Sequence, residues 1–269
     1  MKAKLVESVC VVDDAGRLAN LKSNLARGLP VCGDIPERKE PLAIVGSGPS
    51  LAGHLEEIKD WPGEVWAING AYDYLLDNGL IADGFVAIDP LPGLAEYVQN
   101  PQKETKFYIA STCDPSVIDA LEGHEVWLWH AFNDDNSAYP EGQKLIIGGT
   151  TVVTRAPFLA LVLGWRDITL MGVDSSYSPE GPYCYPWRTY KEDINQPVMR
   201  IMCGEEGPFY SEVGLLKQVS QLGAMLPIFN KRREILKIRE AGLMGAFLRS
   251  PMLDDSKIEV VNDEKLQAS

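Results

Sequence analysis

Leu42-Ala43-Ile44-Val45-Gly46-Ser47-Gly48-Pro49-Ser50-Leu51 is the stretch on which the fold turns. Four apolar residues without alternation run into a glycine-rich turn, the pattern of a strand buried on both faces of a parallel sheet. Glycines let backbone approach a ligand closely, and amides at a helix start favour an anion. Pro49 suits a first helical turn, where its missing N–H costs nothing. Leu51 stands where the dinucleotide fingerprint has its third glycine, and no Gly-Lys-Ser/Thr makes a Walker loop. The turn therefore reads in two ways: a nucleotide-facing loop, or a tight strand–helix connection with Ser50 as its cap.

Similar apolar runs recur on either side. Val65–Ile68, Phe85–Ile88, Phe107–Ile109, Val126–Leu128, Leu145–Ile147, Ile168–Met171 and Met225–Phe229 all read as strands. Helical patterns lie between several of them. Leu51, Leu55 and Ile58 share one face; Tyr72, Leu75 and Leu76 lead to a C-cap at Gly79; Val152 to Leu163 leads to Gly164, with Pro157 expected to kink or delay it. Leu215, Leu216, Val219 and Leu222 share another face. Strand alternating with helix implies an α/β fold, a Rossmann-like doubly wound and mostly parallel sheet with helices on both faces. Residues 1–40 read as a helical arm and linker, 41–230 as the main Rossmann-like domain, and 231–269 as a C-terminal helix and tail. Residues 178–207, rich in Pro, Gly, Tyr and Trp, read as a long loop or lid. In it, Tyr183, Tyr185, Trp187, Arg188 and Tyr190 suit either stacking on a ring or a small core beneath the loop.

Composition narrows the chemistry. The 269 residues carry a net charge of −13, which excludes a general, sequence-independent grip on nucleic acid. An apolar content of 45% suffices for a sizeable core. Cys10, Cys32, Cys113, Cys184 and Cys203 form no CxxC pair, so neither a zinc site nor a disulfide framework is expected, and a reducing cytoplasm is the simplest compartment. Met1 to Val12 does not read as a signal peptide, and Ala156–Leu163, the longest apolar stretch, is too short for a bilayer. A homo-oligomer is left open. Of the three histidines, His130 at a strand end is the best placed, although a structural role suits it better. Lys231-Arg232-Arg233 reads as a solvated helix start.

In a doubly wound sheet the ligand binds at the carboxyl ends of the strands. Beyond Gly46, Ser47, Gly48, Ser50 and Leu51, four strand ends carry chemistry. Asn69-Gly70 suits a ribose or base, or a simple turn. Asp89-Pro90 suits Mg2+ or a sugar hydroxyl, or a turn start. Gly148-Gly149-Thr150-Thr151 suits a second phosphate or the base, or helix capping. Gly172-Val173-Asp174-Ser175-Ser176-Tyr177 offers Asp174 to a metal or substrate and Tyr177 to a phosphate; alternatively Asp174 bonds its own turn. One shared cleft is the economical account of all of them.

The order Ile44-Val-Gly-Ser-Gly-Pro-Ser-Leu51, Ala67-Ile-Asn-Gly-Ala71, Ala87-Ile-Asp-Pro90, Gly148-Gly149-Thr150 and Leu170-Met-Gly-Val-Asp-Ser-Ser-Tyr177 resembles the 6-hydroxymethylpterin diphosphokinase MptE-like family. That family includes the central domains of motility accessory factors, implicated in glycosylating flagellin with nonulosonic acids. A more distant likeness is to bacterial lipooligosaccharide sialyltransferases. The resemblance implies a Rossmann-like domain that binds a nucleotide or nucleotide-sugar. By it, Gly46 to Leu51 face phosphate or ribose, Asn69 and Gly70 the ribose or base, Gly148 to Thr150 the base region, and Asp174 and Tyr177 the reacting phosphate. Asp89 and Asp174 would hold Mg2+ if a metal is used. Two departures stand out: the sialyltransferases have Asn where Asp89 stands, and the segment Gly207-Pro208-Phe209-Tyr210-Ser211 lacks their general-base His. The expected function is nucleotide-dependent transfer with a small-molecule nucleotide donor and an unspecified acceptor. Glycosyl transfer from a nucleotide-sugar leads, ahead of Mg2+-dependent pyrophosphoryl transfer from ATP to a hydroxymethylpterin-like alcohol and of non-catalytic nucleotide binding.

Overall fold

The computed structural model describes residues 12–133, 136–178, 198–231 and 233–253, and the backbone of 259–260. Its centre is a parallel sheet of eight strands in the order β10-β7-β1-β2-β3-β4-β5-β6. These strands are β1 (Leu42–Val45), β2 (Glu64–Ile68), β3 (Gly84–Ala87), β4 (Lys106–Ala110), β5 (Glu125–Ala131), β6 (Leu145–Ile146), β7 (Ile168–Met171) and β10 (Leu236–Ile238). Every residue of β1, β3 and β7 is buried, as unbroken apolar runs demand when helices cover both sides of a strand.

The order of addition places the site. From β1 to β6 each new strand joins the outer edge of the last, and then β7 returns to pair with the free side of β1, Val45 opposite Met171. The chain thus leaves β1 and β7 in opposite directions, which opens a crevice beyond their carboxyl ends. Gly46 and Gly172 begin the two departing turns.

Three expectations are corrected. Met225–Phe229 is not a strand but the last turns of α6 (Val213–Phe229): the 3.6-residue stripe through Leu216, Val219 and Leu222 continues to buried Met225 and Phe229, leaving Ile228 66% exposed. The outer strand comes instead from β10, three residues with a lysine in the middle. The expected lid over 178–207 is in part sheet. Here β8 (Met199–Cys203) buries alternate residues and pairs antiparallel with β9 (Glu206–Ser211), and β11 (Glu259–Val260) completes a small second sheet. The aromatic group at 183–190, Cys10, Cys184 and Arg232 lie outside the described residues. Finally, α5 (Val152–Val162) passes through Pro157 without ending. A proline in the middle of the helix removes one main-chain bond, and the packing around buried Pro157, Leu159 and Ala160 outweighs it.

The first 40 residues are more than an arm. Helix α1 (Asp14–Leu25) buries Asn24, whose amide donates to the carbonyls of Ser111 and Cys113 beyond β4. The segment after it bonds to β5: Leu128 N–H donates to Pro30 O (2.8 Å) and Cys32 N–H to Leu128 O (2.7 Å). The main sheet also draws β10 from beyond residue 230.

Candidate functional site

A cavity of 660 Å3 lies beyond the carboxyl ends of the parallel strands. Its wall includes Gly46, Ser47 and Gly48 after β1, Asn69 after β2, Asp89 after β3, Thr150 before α5, and Asp174 after β7. The structure therefore brings turns that are distant in sequence to one pocket. Gly70, Leu51, Ser50, Gly148, Gly149 and Tyr177 are not among the residues that line it. Gly70 precedes α3 (Ala71–Asp77), Leu51 is buried in the core, and Ser50 bonds to Asp174.

Asp174 defines the first turn. Its carboxylate accepts from Ser50 Oγ at 2.8 Å and from Ser50 N–H at 3.2 and 3.3 Å. Gly46 N–H donates to Met171 O (2.8 Å) and Gly48 N–H to Gly172 O (2.7 Å). Pro49 has no N–H to give. The amides of Gly46, Gly48 and Ser50 are thus already used, and the protein's own carboxylate lies where an anion on the Ser50 amide would sit. What the turn offers a ligand is close backbone approach and the Ser47 side, a surface for a ribose better than for a phosphate. A Cβ on Gly48 would lie 2.1 Å from Asp174 Oδ2, and Gly172, at φ +65°, would place one 2.2 Å from Gly46 O, so both glycines are required. Burial raises the Asp174 pKa, opposed by the Ser50 hydrogen bonds.

Two non-glycine residues among those described have left-handed backbone: Asn69 (φ 46°) and Ser175 (φ 53°). Both follow central strands and both line the cavity. Such strain collects at ligand sites, where the surrounding structure holds it. Asn69 Oδ1 is buried without a hydrogen-bond partner among the described residues. Ser175 Oγ accepts from Gln218 Nε2 (2.9 Å), whose Oε1 accepts from Thr151 Oγ1 (3.0 Å). Gln221 Oε1 accepts from Thr150 N–H (3.0 Å). Two glutamines of α6 therefore tie the second glycine turn into place. Sequence reading passed over them, although Gln218 is a polar residue within the apolar stripe of Leu215, Val219 and Leu222.

Asp89 accepts from Leu91 N–H (3.0 Å), the local turn bond that an Asp before Pro makes. It also lines the cavity, and burial raises its pKa. Tyr177, expected at a phosphate, instead donates to Glu212 Oε2 (3.0 Å); Glu212 itself lines the cavity, with a pKa raised by burial. The missed cation is Arg155 on α5, 9% exposed in the cavity wall. A single arginine within Val-Val-Thr-Arg-Ala-Pro-Phe-Leu-Ala was its signal in the sequence.

The histidines stand apart from the cavity. His130 Nδ1 and Ser111 Oγ lie 2.8 Å apart in the core, and burial lowers the imidazole pKa. His54 sits 3.3 Å from Glu57 and His124 lies against two main-chain carbonyls. Among the described residues no group of three His, Cys, Asp or Glu could hold a metal ion, and no helix is long and apolar enough to cross a membrane.

With this geometry in view, comparison with known proteins bears on both family and fold. A family model described as 6-hydroxymethylpterin diphosphokinase MptE-like matches residues 17–180. The fold is similar to that of the MAf glycosyltransferase from Magnetospirillum magneticum AMB-1, with a TM-score of 0.61 and 18% sequence identity over 95% of this chain and 40% of that one. The chain thus spans 40% of that protein's length. No curated protein matches.

Proposed function

The chain belongs to the MptE-like family, and on that premise we propose that it is a nucleotide-dependent transferase whose reaction is glycosyl transfer from a nucleotide-sugar. The observation that carries this reading is the convergence of Gly46–Gly48, Asn69, Asp89, Thr150 and Asp174 on one cavity at the switch point of the sheet. In it the first glycine turn and Asn69 receive the ribose and base, with the turn around Thr150 completing the base region. Asp174 acts through Ser50 as a positioning residue, and Tyr177 acts through Glu212. Asp89 is the carboxylate left to receive the acceptor's hydroxyl proton, and its raised pKa brings it nearer the operating range of a general base. The similar structure from Magnetospirillum magneticum, titled a glycosyltransferase, supports this choice of chemistry.

The second reading, pyrophosphoryl transfer from ATP, is favoured by one observation: Asp89 and Asp174 line the same cavity. Mg2+ carried in by a diphosphate would meet two desolvated carboxylates there and neutralise charge on the transferring group. Because the Asp174 oxygens already accept from Ser50, they suit an ion arriving with the substrate better than a resident metal. A non-catalytic nucleotide-binding protein is the remaining alternative.

Thermal denaturation with CMP-, UDP- and GDP-sugars, ATP and GTP, each with and without Mg2+, tests all three. A nucleotide-sugar that raises the melting temperature and is then turned over supports the lead reading; Mg2+-dependent stabilisation by ATP with release of AMP supports the second; stabilisation without turnover supports the third. If no nucleotide stabilises the protein, the nucleotide reading fails. Asn69→Ala and Asp174→Ala are expected to abolish the stabilisation, and calorimetry showing unchanged affinity in both would remove the cavity from consideration.

A further inference from the structure

We propose that Arg155 is the anion receptor of this cavity: the edge of its guanidinium that the described residues leave unbonded takes an oxygen of a ligand phosphate or carboxylate. The nucleotide reading above is needed only to say which molecule brings that anion.

Arg155 is nine-tenths buried and tightly held. Its Nε donates to Gly149 O (2.8 Å), and its Nη1 donates to Phe132 O and Ile146 O (both 2.8 Å). Three backbone carbonyls, from the ends of β5 and β6 and the turn before α5, therefore orient the guanidinium plane. None of them carries a counter-charge. Among the described residues Arg155 makes no ion pair, and Nη2 has no hydrogen-bond partner. A buried guanidinium left in this state is costly unless an anion joins it. Burial lowers its pKa, in keeping with a charge that lacks compensation.

Among the described residues, the acids that line the cavity do not supply that anion. Asp174 is turned to Ser50, Asp89 accepts from Leu91, and Glu212 accepts from Tyr177. Arg17, the other cation among the described lining residues, pairs with Asp14. Since Asp174 fills the anion position of the first glycine turn, a negatively charged ligand is disfavoured there. Arg155 is left as the rigid donor, pre-oriented by the carbonyls, on which such a ligand can settle.

The test is calorimetric titration of the wild type, Arg155→Gln and Arg155→Lys with matched charged and neutral probes. Inorganic pyrophosphate, CMP, UDP and ATP carry phosphate, with cytidine, uridine and adenosine as their neutral counterparts. Glucuronate carries a carboxylate, with glucose as its neutral counterpart. The wild type is expected to bind at least one charged probe. Arg155→Gln should weaken that probe by roughly 30-fold or more while leaving its neutral counterpart unchanged. Arg155→Lys keeps the charge without the fork, so it should fall in between, and it carries the test should the glutamine variant fail to fold. The probe class that loses affinity identifies the anion as phosphate or carboxylate.

Equal affinity of wild type and both variants for every charged probe would overturn the proposal, as would a wild type that binds none. Asp134 and Asp135 lie outside the described residues, so D134N/D135N is a further control. Unchanged anion affinity is expected, and a tenfold or larger rise would reveal an internal counter-ion and overturn the proposal. Wild-type binding of pyrophosphate or glucuronate through Arg155, with no nucleotide bound, would sink the nucleotide reading and leave this one standing. Nucleotide binding that ignores Arg155 would do the reverse.

Discussion

Asp89 and Asp174 lie in the same wall, but their partners give them different work. Asp174 holds Ser50 through its side chain and backbone, so Asp174→Ala strips the acceptor from a part-buried pair of donors. We expect a loss of about 1–3 kcal/mol in urea denaturation, with Asp174→Asn recovering part of it. Asp89 has a single bond to Leu91, and burial raises its pKa. A carboxyl whose folded-state pKa is raised destabilises the protein above its unfolded pKa, and the penalty disappears once acid protonates it in both states. Asp89→Asn, which keeps the turn's acceptor, should therefore be more stable than the wild type near neutral pH. That advantage should fade as pH falls through the Asp89 titration. An advantage that persists unchanged in acid would show that the charge is not its source. The sequence singled out both aspartates from their strand-end positions and allowed for the local turn bond of Asp89, but the partner of Asp174 lies 124 residues away and could not be read from it.

At the level of elements, the site depends on a glycine turn closing against β7 and on a helix from late in the chain. Gly48→Ala would drive a methyl group into Asp174 Oδ2, which has to move and release Ser50. A loss of about 1–3 kcal/mol and of nucleotide binding together is expected, by denaturation and calorimetry. If the variant folds with wild-type stability and binding, the close approach between the two turns is not required. Gln218 links Thr151 of α5 to Ser175 after β7. Gln218→Leu keeps the volume but leaves both hydroxyls without this partner, at an expected cost of about 1–3 kcal/mol in urea denaturation. The helical stripe of α6 was legible, but its extent was not, because Met225–Phe229 is also a plausible strand by composition. The register of burial, with Ile228 exposed between buried Met225 and Phe229, decides for the helix.

For the molecule as a whole, a ligand seated in the cavity would cross-link the turns that follow β1, β2, β3 and β7. Binding to the native state alone should add about 2.7 kcal/mol at a hundred times the dissociation constant, visible as a rise in melting temperature that grows with concentration. What the sequence determined by itself was the class of fold and the rim on which its chemistry gathers. Short apolar runs that alternate with helical patterns and end in glycine turns suit buried parallel strands, and in a doubly wound sheet such strands send their glycine and acidic turns to a common edge. What only the tertiary structure decided was how those turns spend their polar groups. Asp174 takes the amide of Ser50 that a ligand anion was expected to take, the glutamines of α6 claim the threonine turn, and Arg155 is held by carbonyls of three separate segments. Hydrogen bonds between residues distant in sequence leave no local periodicity to read; their partners are chosen by the packing that brings them together.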